Sequence, residues 1–243
     1  AAMAAQQPEV PSLTVPQRLF GALFNPKPTF ADIVRRPSFL PPLIVLIVFS
    51  LASSIVIVRR IGIEQIVRSE VMKSPQVADL PAERREEIIE RGVAVARFTV
   101  YAAPLVFTPL AMLVIAAALL LMANFVLGAE TNYKTLLSTT AYGMMPACVV
   151  AILGIITVFL KEPSDVDVQN LVISHLGPLF DPGSHKVLNR LASSLDLFSF
   201  WQIALLALGV SAAARFSFRK GLVAVMVPWA VWVLGAAGFR ALF

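Results

Sequence analysis

Five long apolar blocks divide the chain, each bounded by charged or loop-forming residues. The first, Phe39–Val58, is uncharged and bracketed by Arg35 and Arg36 before it and Arg59 and Arg60 after it. Twenty residues rise about 30 Å as an α-helix, which matches the hydrocarbon core of a bilayer. Pro41 and Pro42 fall in its first turn, where the missing N–H groups have no intrahelical acceptor to lose. The second block, Phe98–Gly128, holds 31 uncharged residues. A straight helix of that length would measure about 46 Å. It is therefore expected to tilt, to begin in the interface, or to kink at Pro104 and Pro109. Thr135–Leu160, Leu197–Ala214 and Gly221–Phe239 complete the set. Backbone groups at bilayer depth must pair internally, and blocks of this length do so only as helices. The pattern predicts an all-α integral membrane protein with about five transmembrane helices and short interfacial amphipathic helices. One membrane domain is expected over residues 17–243, after a flexible N-terminus at 1–16.

The polar stretches carry their own pattern. In residues 17–36, Leu19, Phe20, Leu23 and Phe24 fall on one helical face, and Pro26 and Pro28 interrupt the run. Thr29 is placed to cap a second short helix carrying Phe30 and Ile33. Two amphipathic helices lying in the membrane interface are expected; a plain linker is the alternative. Residues 59–97 carry eight Lys or Arg and seven Asp or Glu. Pro81 is positioned to start a helix there, with Glu83, Glu86 and Glu87 near its positive end. This helix reads either as a solvated face or as a partner-docking surface centred on Arg84, Arg85, Glu86 and Glu87. Between the third and fourth blocks, short helices are expected around Val166–His175 and His185–Leu195, separated by Gly177, Pro178, Pro182 and Gly183.

Composition narrows the class. The chain is 58% hydrophobic and 14% charged, against about 45–50% and about 25% for soluble domains. A soluble fold could not hide that much apolar surface. The net charge of +5 sits beside the apolar blocks, where Lys and Arg anchor helix ends. No Arg-rich tract interleaved with aromatics is present, so nucleic acid is not an expected partner. A single cysteine, Cys148, excludes an internal disulfide and reads as a small packing residue. The first sixteen residues lack a basic region followed by an apolar core, so the first apolar block is expected to act as the targeting signal.

The blocks contain no Asp, Glu, Lys, Arg or His. Catalytic and ion-coupling sites in membranes normally depend on such residues. His175 and His185, with Asp181 between them, match no zinc pattern. Ser193 and Ser194 precede Asp196 without a recognisable base, and a helix-cap role suits the group better. No metal, cofactor or enzymatic activity is expected. The amides of Asn124 and Gln202 lie near span ends and are suited to hydrogen bonds with a neighbouring helix or interface water. The spans do show small residues at four-residue spacing: Thr139, Gly143, Ala147 and Ala151; Gly209 and Ala213; Ala207 and Ser211; Ser50 and Ser54. Such faces let helix backbones approach closely, within one chain or between copies.

Four pieces of sequence carry a family likeness. They are Leu19-Phe20 with Asn25-Pro26-x-x-Thr29-Phe30-x-x-Ile33; Gly128 with Tyr133-Lys134; Thr140-Ala141-Tyr142-x-x-x-Pro146; and Leu195-Asp196-x-Phe198-Ser199-x-Trp201 with Gly209 beyond it. In this order, from about residue 17 to the end, the chain resembles the Ypt-interacting-protein (Yip) domain family of multi-span membrane proteins. The resemblance implies five spans, a cytoplasmic N-terminus and no enzymatic activity. Eukaryotic relatives bind Rab-type GTPases, but their acidic-aromatic Gly-Pro signature is absent here. The long charged segment at 59–97 looks more like bacterial members, so the GTPase role is not carried over.

The leading functional expectation is a membrane-embedded scaffold or accessory subunit in a bacterial cytoplasmic (inner) membrane. Its expected partners are membrane lipids and other membrane subunits or a second copy. The alternative is a carrier of a small or lipid-like solute, with helices broken at Pro104, Pro109 and Pro146.

Overall fold

The computed structural model of the chain describes residues 12–74, 77, 80–180 and 186–242. Two short helices open it, α1 (Val15–Phe24) and α2 (Pro26–Arg35). Thr14 and Gln17 form a capping box at the start of α1. Asn25 and Pro26 break the run, and α2 begins at Pro26 itself. Thr29 therefore stands one turn inside α2 and caps nothing, contrary to the sequence expectation. Its hydroxyl donates to the Asn25 carbonyl at 2.8 Å, and the side chain sits against Gly21 of α1.

The first span is α3 (Leu40–Ile61), followed across Gly62 by α4 (Ile63–Met72). Gly62 has φ of 90°, a left-handed backbone that glycine adopts freely. The next helix, α5, runs unbroken over 40 residues from Ala82 to Leu121 and ends in a π-helical turn, Met122–Val126. Pro104 and Pro109 lie inside it without ending it. At 1.5 Å per residue, the part before Phe98 carries the helix about 24 Å past the apolar block. Helix α5 therefore continues past the apolar block on its N-terminal side, into the charged residues 82–97.

The third span is two helices, α6 (Tyr133–Gly143) and α7 (Pro146–Leu160), broken at Met144–Met145. Pro146 suits the break because it opens α7, where no N–H is required. After the polar segment come α8 (Lys186–Ser194), α9 (Leu197–Ala214) and α10 (Phe218–Leu242). Five helical stretches among the described residues are long and apolar enough to span a membrane. Among the described residues no strand forms, only an isolated bridge between His175 and Asp196. The helix expected at Val166–His175 is replaced by short 3₁₀ turns, Pro163–Asp165 and Val168–Asn170. Asn170 donates to the Asp167 carboxylate at 2.8 Å, one of the local side-chain bonds that compete with helix formation. The expected helix at His185–Leu195 forms as α8; His185 lies outside the described residues.

Helix α6 is the hub. Every residue from Thr135 to Gly143 is buried. It contacts α5, α9, α2 and α1, while α9 also packs on α10, and α3 on α5 and α7. Only 11% of the apolar window of α3 and 17% of that of α5 is fully buried, and the remainder is half-buried or exposed apolar surface.

Candidate functional surfaces

The N-terminal helices are built into the fold rather than laid on it. Phe30 and Ile33 of α2 are fully buried with Ala22 of α1, Tyr142 of α6 and Leu205 of α9; Trp201 packs on the same cluster. Phe20 and Phe24 point outward and remain the interfacial face. Placing Phe30 on that face, as the sequence suggested, is corrected by this packing. A buried ion pair fixes the two helices: Arg18 Nε donates to Asp32 Oδ2 at 2.8 Å. Arg18 Nη1 also donates to the Arg36 carbonyl at 3.0 Å and to Ser38 Oγ at 3.2 Å, reaching the entry of α3. Sequence reasoning named neither Arg18 nor Asp32 as a site residue. The signal was an acid on the apolar face of a short amphipathic helix, a costly placement without a partner.

The small-residue face of the third span stops at the helix break. Gly143 meets α9 at Leu206, and Thr139 meets Gly209. Ala147 is exposed and Ala151 half-buried, because the turn at Met144–Met145 rotates α7 relative to α6. The expected continuous stripe from Thr139 to Ala151 is therefore corrected to Thr139 and Gly143. Ser50, Ser54 and Ala213 are half-buried. The tightest approach was not singled out: a Cβ on Gly221 of α10 would lie 2.5 Å from the Ala207 carbonyl oxygen of α9 and would clash with Ser211.

Beyond the membrane, α4 lies against the projecting end of α5. Arg68 of α4 makes a two-pronged pair with Glu86 of α5, at 2.8 and 3.0 Å. Its guanidinium holds the Glu86 carboxyl below the usual carboxylate range, chiefly by hydrogen bonding. Ile89 is buried beneath, and Gly92 lets Val67 approach. Arg84 and Arg91 both pair with Glu87 along α5, at 2.7 and 2.5 Å. The four residues expected to form one docking surface therefore divide. Glu86 holds the hairpin together, Arg84 and Glu87 form a solvated pair on α5, and Arg85 is half-buried.

In the segment before α9, Asp196 accepts from Ser199 N at 2.8 Å as the helix cap. Its other oxygen accepts from Ser174 Oγ. His175 Nδ1 accepts from Gly177 N at 3.1 Å, which leaves Nε2 to donate to Asn170 Oδ1 at 3.1 Å. His175 thus shapes a turn. Ser193 donates to the Asn189 carbonyl at 2.7 Å, and its Oγ and His175 Nδ1 both lie beside Gly177. Asp181 and His185 lie outside the described residues. Among the described residues, no three His, Cys, Asp or Glu side chains gather where a metal could sit. Asn124 clips the loop after α5 to itself, through Thr131 O at 2.8 Å and Thr131 N at 3.1 Å.

These features define a polytopic α-helical integral membrane protein with a clamped N-terminal helix pair and an extramembrane hairpin. The chain belongs to the Yip1 domain family, whose profile matches residues 20–239. Pro26, Thr29, Phe30, Tyr142, Pro146, Asp196 and Trp201, which carried the likeness in the sequence, all fall within that match. A relative of known sequence is the membrane protein YknW of Bacillus subtilis (strain 168). It is 23% identical over 216 residues, covering 89% of this chain and 87% of the relative. No solved structure matches the chain.

Proposed function

We propose that this protein is a non-enzymatic scaffold or accessory subunit of a larger complex in the bacterial cytoplasmic membrane, with its N-terminus in the cytoplasm. The observation that carries this reading is the projecting hairpin. Helix α5 leaves the apolar block as one continuous rod, α4 braces it, and exposed charges of both signs decorate its outer face. A braced rod with mixed charge suits orientation-specific docking, because complementary charges fix register and exclude wrong partners. Uncharged spans give no ionisable group for chemistry or ion coupling at bilayer depth.

The test separates docking from hairpin integrity. Arg84→Glu with Arg91→Glu reverses the outward charge and leaves Arg68 and Glu86 in place. Affinity isolation in mild detergent followed by mass spectrometry should recover membrane subunits, or a second copy, with the wild type and lose them with this variant. The carrier alternative would use the break at Met144–Met145 in place of the Pro104 and Pro109 kinks. The wild-type protein reconstituted alone in liposomes should move no solute; flux there, from a monomer without partners, would overturn the scaffold reading.

A further inference from the structure

On the N-terminal side of the bundle, two short loops flank an open cavity of about 720 Å³. One wall is Glu130, Thr131 and Asn132 after α5, with Thr135 in the first turn of α6. The other is the end of α9 with Arg215, Phe216 and Lys220, and Val34 of α2 closes one edge. Two cations against one carboxylate leave the lining net positive. The volume is within the about 300–1,000 Å³ of ordinary ligand sites.

Three further features favour an anion. The N-terminal end of α6 opens here; Asn132 Oδ1 caps the Thr135 N–H at 2.9 Å, so the helix contributes the partial positive charge of its N-terminal end rather than a free donor. Arg215, a residue of the wall, ends α9 with φ of 55°, a left-handed position where glycine is the usual occupant. Lys220 stands 5.5 Å from the centre of the Phe216 ring, which tethers a second cation beside it. Guanidinium and ammonium groups beside a helix N-terminus match a phosphate.

We propose that this cavity binds the phosphate of an anionic glycerophospholipid headgroup. The lipid source follows from position. The cavity lies at the ends of two spanning helices, α6 and α9, where headgroups reside, and apolar Val34 and Phe216 border it. The inference stands independently of the scaffold reading.

The experiment uses the full chain in neutral detergent, titrated with phosphatidylglycerol or phosphatidylcholine and followed by native mass spectrometry and thermal shift. Phosphatidylglycerol should bind and raise the melting temperature; phosphatidylcholine should not. Lys220→Gln should weaken phosphatidylglycerol binding by about tenfold or more, the usual effect of removing a charge-assisted hydrogen bond. Arg215→Gly should do the same, and because glycine fits the left-handed turn, this variant removes the cation without endangering the fold. Lys27→Gln, a cation of the same side outside the cavity, should bind like the wild type. Equal response to both lipids would overturn the proposal, as would equal loss in Lys27→Gln or undiminished binding in the cavity variants. If glycerol 3-phosphate alone reproduced the shift at the same affinity, the lipid assignment would be wrong.

Discussion

Arg18 and Asp32, on two different helices, form an ion pair at 2.8 Å with side chains only 8% and 4% exposed. The same guanidinium reaches the Arg36 carbonyl and the Ser38 hydroxyl, so one side chain joins α1, the end of α2 and the approach to α3. Phe30 and Ile33 on the same helix as Asp32 are buried against α6 and α9. The pair therefore fixes not only two surface helices but their seating on the membrane bundle.

Removing one member strands a buried charge, which costs about 3–5 kcal/mol in buried pairs. Asp32→Ala should lower the melting temperature in detergent strongly. Arg35→Ala should be mild, because Arg35 is half-exposed and surface pairs contribute about 0–1 kcal/mol. The double variant Arg18→Met with Asp32→Leu should recover much of the loss. Asp32→Ala and Arg35→Ala melting alike in a thermal-shift assay would refute the clamp.

Two glycine substitutions at helix contacts should rank by what the new methyl group meets. On Gly221 it would lie 2.5 Å from a backbone carbonyl oxygen that cannot rotate away. On Gly143 it would lie 2.7 Å from the end of the Leu206 side chain, which can. Overpacking of this kind costs about 1–3 kcal/mol. Gly221→Ala should thus destabilise more than Gly143→Ala. Ala147→Leu, on an exposed position, should be nearly silent, as should Phe159→Leu at the exposed end of α7. Gly143→Leu would force α6 and α9 apart and should be worse than Gly143→Ala. Detergent melting curves give the order, and Ala147→Leu falling beside Gly143→Leu would show that the packing face is misassigned.

The spans were legible because bilayer chemistry leaves few options: long uncharged blocks between charged residues have to be helices. Gly143 and Gly209 were legible too, since small residues on a span mark close approach. A break at Pro146 was legible as part of the carrier alternative, but its effect on packing was not, because a proline marks where a helix can restart but not how far the restarted helix turns. That rotation takes Ala147 out of the contact. Gly221 escaped because its partner lies on another helix, at Ala207, and its spacing to small residues on α10 carries no pattern. Glu86 escaped for a related reason: nothing in a run of mixed charge tells a residue that pairs with α4 from neighbours that pair along α5. Arg18 and Asp32 were hidden among surface helices whose amphipathic pattern suggested lipid rather than protein contact.

The α4–α5 hairpin should loosen in acid. Hydrogen bonding from Arg68, with its charge and that of Arg85, holds the Glu86 pKa below its ordinary value. A carboxylate whose folded pKa is depressed contributes stability that is present above its unfolded pKa of about 4.3 and lost as pH falls through the folded value. Both groups are solvent-exposed, so the effect is local and modest. Hydrogen-exchange protection across Ile63–Met72, taken relative to the intrinsic rate at each pH, should be high at about pH 6 and lower in acid. Glu86→Gln should show the lower protection already at neutral pH and little further change on acidification. An unaltered exchange rate in that variant would mean that Ile89 and the Val67–Gly92 contact hold the hairpin alone.

Orientation rests on the short loops. The N-terminal side carries Arg18, Lys27, Arg35, Arg36, Lys134, Arg215, Arg219 and Lys220, and the opposite side has a similar density of cations. The loop from Arg215 to Lys220 has three cations and no acid, and short loops weigh most in setting topology. The resemblance to the family points the same way. With this side in the cytoplasm, the α4–α5 hairpin projects from the outer face. The native thiol, Cys148, is buried, and a Cys148→Ala background removes it from the labelling altogether. In that background, Ser69→Cys on α4 should react with a membrane-impermeant maleimide in intact cells. Ser217→Cys, exposed in the short loop, should react only after the membrane is opened. The reverse pattern would place the hairpin in the cytoplasm and the cavity beside Arg215 in the outer leaflet.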